Sequence, residues 1–499
     1  MKSTSKIFFA LSVLLFVSTS SFAQNDDYNE KEKHIYDSLT SHYFVEKVWD
    51  SVIDIGKESI YKGYDFYMLR LRMGMAYGFM TNYRSAEKQY KKALEFVPGD
   101  IEAGVLNYYA AINGGRKHVA YSDFLKYNEA QVKEIKNKTS EDIKEESKDD
   151  LYAIETPILD RLYFSYGYSF TKNTSQLADI FPKHAGTLYS QGNIRENQSY
   201  ANLSLGGHLS TMLEWDFSYN RNDILGVQLV QPSIKDYLKQ ETDIRQNELF
   251  AGLNYFAGNG WNIKATGQLL FYKANMFSVK DSIGYSLPSL GEVIEVDSIL
   301  SQTDHFVFNE STKSNNDYVF GLSVNRKIGL VDFSVFGTYA KIQDKNPFQI
   351  GGELVLLPSG NYSLYLSNRL FYYKDSQSEK YIYKVGAGAR ITQKLNFDAT
   401  ATFGDLQFTN EPNLPVVYNW SDKTSFKGDL VFTYNISKDV YLSLRYQITQ
   451  LQSTYVSHTF NDLVQSTAYP NHYYKTYKQE EFLYKYNQHF VILGLTWLL

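Results

Sequence analysis

The sequence predicts an α+β multidomain protein, an N-terminal α-helical repeat domain followed by a C-terminal transmembrane antiparallel β-barrel of about 14 strands. Three observations carry this expectation. The chain opens on a short apolar run of the exported type; apolar and small residues then recur at helical spacing; and from Leu159 to Leu499 the period changes to two. Composition agrees. With 43 Tyr, 32 Phe and 5 Trp against 10 Pro among 499 residues, the chain is rich in flat amphipathic side chains that suit strands and membrane interfaces. A mean hydropathy of -0.38 argues against a helical membrane protein but not against a barrel, in which every second residue faces a polar lumen. The absence of cysteine excludes disulfide scaffolds and thiolate chemistry, and 50 basic against 55 acidic residues excludes the basic excess of a nucleic-acid binder.

Residues 1–23 are expected to be a signal peptide. Lys2 and Lys6 form the basic start, Ile7 to Val17 the apolar run, too short to span a bilayer, and Ser21-Phe22-Ala23 the small-residue cleavage site. No later stretch offers 18 consecutive apolar residues, so membrane embedding has to be by strands.

Residues 24–127 are expected to be a periplasmic helical domain. Between Asp65 and Asp100 two helices meet at a break around Asn82 and stop at Pro98-Gly99. Gly74, Tyr77, Ala86, Tyr90, Ala93 and Pro98 fall at a spacing in which small residues let two helices approach and aromatics fill the gap. This resembles a tetratricopeptide repeat, with Arg70 where that family usually has tryptophan. A second copy places Ala111, Ala120 and Phe124 one period later, and a poorer one surrounds Tyr43 and Trp49. The resemblance implies a concave surface for a periplasmic protein partner. Arg70, Arg72, Lys88, Lys91 and Lys92 would make part of it basic, unless they are merely solvated. Residues 128–157 are nearly all charge and amide as far as Asp150 and are expected to form a solvated helical linker ending at Pro157.

Residues 158–499 carry the barrel. Phe164, Tyr166, Tyr168 and Phe170 alternate with Ser165, Gly167 and Ser169; Val440 to Thr449 repeats the pattern with Tyr446 on one face and Arg445 on the other. Tight turns such as Gly258-Asn259-Gly260, Ser359-Gly360-Asn361 and Ser437-Lys438-Asp439 alternate with long loops expected near residues 171–196, 222–245, 274–314, 405–422 and 453–483. Short turns and both chain ends would face the periplasm. The expected lumen-lining residues carry both signs: Glu214, Asp216, Asp332, Asp398 and Asp429 with Lys264, Lys384, Arg390, Lys427 and Arg445. Either cross-lumen ion pairs fill the barrel as a rigid anchor, or a charge ladder borders a channel for a neutral polymer. Tyr473, Tyr474 and Tyr477 fall in the last of these loops, where they would stack on sugar rings, plug the lumen or belong to an aromatic girdle.

Gly494, Trp497 and Leu499 have the spacing of a C-terminal signal resembling those read by the barrel assembly machinery, with Leu499 in place of the usual terminal aromatic. As a whole the layout resembles YaiO-like outer-membrane proteins and, more loosely, exporters of secreted polysaccharides. That resemblance implies a bacterial outer-membrane location among outer-membrane lipids, an N-terminal domain in the periplasm, and export or diffusion of a solute or polysaccharide. The alternative is a non-conducting anchor for a secretion or envelope assembly complex. Catalysis is not expected. His208 and Ser210 share one face as a hydrolase pair would, but at a periplasmic turn without an evident third group; His472 reads as a surface or ligand contact and His489 as lipid-facing. No spacing suggests a metal or a cofactor.

Overall fold

The computed structural model describes residues 30–116, 119–120, 123, 157–171, 187–210, 212–231, 238–258, 260–280, 307–419, 422–465 and 473–499. The expected signal peptide and linker helix, Phe124 and His472 lie outside them.

Five helices precede the barrel among the described residues: α1 (residues 30–45), α2 (Trp49–Tyr61), α3 (Tyr67–Phe79), α4 (Tyr83–Phe96) and α5 (Ile101–Asn113). Local chemistry sets their ends. Asn82 caps α4 by accepting from Ser85 N, and Asp100 caps α5 by accepting from Ala103 N at 2.7 Å, satisfying backbone donors that a helix start leaves free. Between α3 and α4 the Tyr90 ring lies where a side chain on Gly74 would sit, 2.4 Å from an ideal Cβ. Ala86 and Ala93 are fully buried beside it, Tyr77 packs at the edge of the same cluster, and Pro98 follows the end of α4. The basic side chains expected on a binding face mostly have internal partners. Arg70 grips Asp65 through Nε at 2.7 Å and Nη2 at 2.5 Å, Arg72 bonds Asp37, Lys91 pairs with Glu87, and Lys92 with Glu95. A broad basic surface is therefore not what these residues build.

Fourteen strands follow. They are β1 (Arg161–Thr171), β2 (Thr187–Ser210), β3 (Leu213–Gln231), β4 (Leu238–Gly258), β5 (Trp261–Lys280), β6 (Val307–Ile328) and β7 (Val331–Lys341). Then come β8 (Phe348–Leu356), β9 (Leu364–Lys374), β10 (Glu379–Arg390), β11 (Leu395–Phe403), β12 (Lys423–Asn435), β13 (Val440–Gln465) and β14 (Tyr473–Leu498). Each pairs antiparallel with the next, and β1 pairs with β14, so the sheet is a closed barrel. Its polarity is inverted relative to a water-soluble protein. On β1 the aromatic rings of Phe164, Tyr166, Tyr168 and Phe170 are exposed while Ser165 and Ser169 are buried; on β7 Phe333, Val335 and Tyr339 point out, and Ser334 and Thr338 in. An apolar outside around a polar inside is the arrangement that satisfies a bilayer, and it is the outer-membrane barrel fold.

Short connections at residues 211–212, 259–260, 329–330, 391–394 and 436–439 share one rim with the start of β1 and the end of β14. At the other rim the expected loops are corrected. Residues 222–245 are mostly β3 and β4, joined across 232–237, and residues 453–483 are mostly the β13–β14 hairpin, whose strands have 26 residues each. A tilted strand crosses a bilayer in about 9–11 residues, so the remainder stands clear of the membrane. Beyond the bilayer both faces meet water, and the apolar alternation that marks a strand is lost. Strands β7 to β12 are shorter, with 9 to 13 residues, so the wall is taller on one side.

The closing seam places the C-terminal residues. Gly494 lies opposite Ser165 and Trp497 opposite Leu162. A Cβ on Gly494 would come 2.8 Å from the Tyr163 hydroxyl and 2.5 Å from Ser443 Oγ, so glycine makes room for the tyrosine. Trp497 is half-exposed on the outer face, and Leu499 N donates to Asp160 O at 2.9 Å, tying the last residue to the start of the barrel.

Candidate translocation pathway

Among the described residues one segment crosses the lumen. Residues 404–419, between β11 and β12, turn inward, and Leu406, Phe408, Val417 and Tyr418 are buried against inward side chains such as Phe336, Ile342, Phe371, Tyr373 and Ile382. Polar contacts fix the inner end. Glu411, 5% exposed, accepts from Lys384 Nζ on β10 at 3.0 Å, Arg369 Nη1 on β9 at 3.4 Å and the Tyr418 hydroxyl at 3.0 Å. Lys427 on β12 donates to the Tyr418 oxygen at 2.7 Å. The far side of the segment reaches the opposite wall: Asn220 on β3 donates to Pro415 O at 3.0 Å, and Asn419 donates to Gln246 on β4 at 3.5 Å. The segment thus spans from β9 and β10 to β3 and β4.

The charges expected along the lumen fall into separate groups. Glu214 accepts from Asn254 and faces His208, while Asp216 pairs with Lys264 at 2.7 Å and Arg161 at 3.7 Å near the short-turn rim. Lys384 belongs to the Glu411 cluster, and Asp429 stands 3.7 Å from Lys427 and 3.8 Å from Arg445. Asp398 accepts from the Tyr365 hydroxyl at 2.5 Å. Arg390 is exposed at the rim, away from any constriction. Asp332 does not border a passage: it holds Arg84 of the helical domain. These residues form neither a continuous ladder nor a filled ionic core. Sequence reasoning passed over Glu411, Arg369 and Arg84; the available signal was a set of apolar residues, Leu406, Phe408, Val416 and Val417, inside a stretch that otherwise looks like a loop.

Space remains on the β1–β4 and β12–β14 side. A cavity of about 140 Å³ lies between that wall and residues 415–419, and another of about 390 Å³ lies nearer the short-turn rim. Both are bordered by Tyr163 and Pro415, so only these two side chains and their neighbours divide one from the other. Above them the wall closes. Beyond its pairing with β12, β13 makes a second pairing with β2, Tyr455 opposite Gly192, although β14 and β1 separate the two strands in the wall. Ile194, Val227, Leu451, Tyr455, Tyr484 and Tyr486 pack into one cluster there, and Ser453 and Tyr484 both donate to Asn193 O.

At the other end the helical domain covers part of the rim. Arg84, fully buried, makes a two-pronged bond to Asp332 at 2.5 and 3.2 Å, donates to Gly329 O, and donates through Nε to Gly114 O on its own domain. Lys327 Nζ donates to Gly115 O at 2.7 Å and Asn361 to Thr81 O at 2.8 Å. Close approach depends on glycine: a Cβ on Gly360, whose φ is +71°, would lie 1.9 Å from Asn82 Oδ1.

Each ring nitrogen of His208 faces a carboxylate. Nδ1 lies 2.9 Å from Asp160 and Nε2 3.0 Å from Glu214, an arrangement that a doubly protonated ring satisfies. With Asp160 on one nitrogen, Glu214 takes the other, through which the ring would have to reach a serine, and Ser210 Oγ instead accepts from Met212 N at 3.4 Å. His489 is on the outer face, stacked on Phe170 and bonded through Nδ1 to the Tyr446 hydroxyl at 2.7 Å.

No family model matches the chain, and no curated protein sequence does. Among solved structures the chain is similar to a FadL homologue of Pseudomonas aeruginosa, with 9% identity over 68% of this chain and 90% of that one and a TM-score of 0.42. It is also similar to the toluene transporter TodX of P. putida, with 9% identity, 71% and 95% coverage and a TM-score of 0.31. The translocator domain of the autotransporter NalP from Neisseria meningitidis gives 9% identity, 74% and 98% coverage and a TM-score of 0.27. None of these similarities assigns a function, which has to come from this chain's own lumen.

Proposed function

We propose that the protein is a gated channel or export component of the bacterial outer membrane, closed in this conformation, for a solute or polysaccharide. The carrying observation is the nature of the stopper. Residues 404–419 are held at their inner end by side-chain contacts to Glu411, Tyr418 and Asn419 rather than by strand pairing, and water-sized space runs beside them. A segment with polar handles can be withdrawn without breaking the wall. The helices, which resemble tetratricopeptide repeats and lie on the periplasmic side in this reading, would recruit a periplasmic protein, and their contact with the rim would couple that partner to the gate.

The test is single-channel conductance of the full-length protein in a planar bilayer, beside a variant lacking residues 405–419. Rare openings in the first and stepwise current in the second are expected. Silence from both, with the barrel shown to be folded, would overturn the channel reading. The second reading is a non-conducting anchor for an envelope complex, and closure of the opposite mouth by the Ile194–Tyr455 cluster favours it.

A further inference from the structure

The smaller cavity has a chemistry of its own. Glu248 on β4 is 2% exposed and accepts from four carboxamides: Gln246 at 2.5 Å, Gln268 at 2.7 Å, Asn220 at 3.2 Å and Asn222 at 3.4 Å. A carboxylate has about four acceptor positions, so this one is filled. Each amide that turns its NH2 group toward Glu248 sends its carbonyl oxygen the other way. Asn222 then accepts from Gln198 at 3.0 Å, and the relay ends on the Gln198 carbonyl. Elsewhere on the cavity wall Gln447 spends its NH2 on Thr449 at 3.1 Å and Gln488 spends its own on Ser169 at 2.9 Å. Among the described residues no donor reaches the carbonyl oxygens of Gln198, Gln447 and Gln488.

The charges around the same cavity face amides or opposite charges. Glu248 is filled by amides, Lys427 by Tyr418 and Asp429, and Arg445 stands beside Asp429. Flat apolar surface completes the wall, with Tyr200 and Phe490 in edge contact at 6.3 Å between ring centres. Acceptors without donors, charges that already face amides or opposite charges, and aromatic faces select a ligand that brings hydroxyl donors, carries no net charge and presents C–H faces to rings. One water needs about 10–15 Å³ of such space, so 140 Å³ holds roughly ten waters or one sugar ring, and the adjoining cavity of about 390 Å³ takes a second ring of a disaccharide.

We propose that this cavity is a binding site for a neutral saccharide, whose hydroxyl groups donate to the side-chain carbonyls of Gln198, Gln447 and Gln488. The site deepens the channel reading, on which its role in transport rests, by giving the cargo its chemical class.

Saturation-transfer NMR on the full-length protein in detergent micelles tests it, with maltose as the probe and gluconate, glucosamine and toluene as comparators. Saturable transfer to maltose, weaker transfer to the three comparators, and an affinity lowered about three- to tenfold in Gln198→Leu and in Gln447→Leu are expected from the loss of one hydrogen bond each. If a leucine variant does not fold, Gln447→Asn, which keeps the amide and withdraws it by one methylene, carries the same expected direction. Saturable toluene binding without maltose binding, equal binding of the charged sugars, or an unchanged maltose affinity in the folded variants would overturn the site. Conductance of the same preparation separates the two claims: maltose binding without current upholds the site and overturns the channel, whereas current without maltose binding does the reverse.

Discussion

Replacing Glu411 by alanine gives the sharpest test of the stopper. The carboxylate stands 3.0 Å from Lys384 and 3.4 Å from Arg369 and accepts from Tyr418, at 5% exposure. Truncating one partner of a buried ion pair costs about 3–5 kcal/mol, because the remaining cations keep their desolvation cost and lose their counter-charge. Arg369 retains Glu353 at 2.8 Å, which offsets part of this and favours the lower end. Withdrawal of the segment lets Lys384 regain water, so the loss falls on the closed state. At about 1.4 kcal/mol per factor of ten, 3 kcal/mol raises the ratio of open to closed barrels by about a hundredfold. The assay is open probability in a planar bilayer, with heat-modifiable electrophoretic mobility to show that the barrel is folded. Open probability in folded Glu411→Ala equal to that of the unaltered protein would refute the reasoning; Leu406, Phe408 and Val417 would then be holding the segment without help from charge.

Other expectations follow from single contacts. Arg84→Ala should release the helical domain from the rim, seen as faster proteolysis between the last helix and β1 with the barrel intact, because Asp332 loses both prongs of its partner. Gly74→Ala places a carbon 2.4 Å from the Tyr90 ring and should cost the helical domain about 1–3 kcal/mol, read from its helical melting transition. Asp375, in the β9–β10 connection, is pushed up by burial but held at about 2 by the stronger pull of the Tyr373 hydroxyl and the Gln377 and Ser378 amides. Its folded value lies below the unfolded value of about 3.9, so its contribution is complete above that point and is lost as pH falls toward about 2. Asp375→Asn should remove part of the acid sensitivity in that window, measured by tryptophan fluorescence.

Alternation of side chains made the wall legible. Phe164 to Phe170 on β1 and Val440 to Thr449 on β13 announce an outside and an inside wherever one face meets lipid. Strand lengths beyond the bilayer were not legible, because Lys239 to Thr242 and Ser457 to Thr459 are polar on both faces whether they pair or not. The sequence distinguished inward charges by parity but not their partners, which depend on barrel circumference and on what enters the lumen. Asp332 illustrates the point: its parity is that of a lining residue, yet its partner Arg84 lies 248 positions earlier on a helix. Glu411 was hidden for the opposite reason, since a lone acid in a Pro-containing loop looks solvated until Lys384 and Arg369 are seen to converge on it.

The placement of Arg84 also dictates an order of events in biogenesis. Its acceptors outside its own helices are Gly329 and Asp332, and the tyrosine ring over which it lies is Tyr362, all contributed by the β6–β7 and β8–β9 hairpins. The helical domain emerges from the ribosome before any strand, but the socket for this guanidinium exists only once the middle of the wall has been inserted. A domain synthesised ahead of the barrel is therefore among the last parts of the molecule to be finished, and its docking marks a barrel that has passed its halfway point.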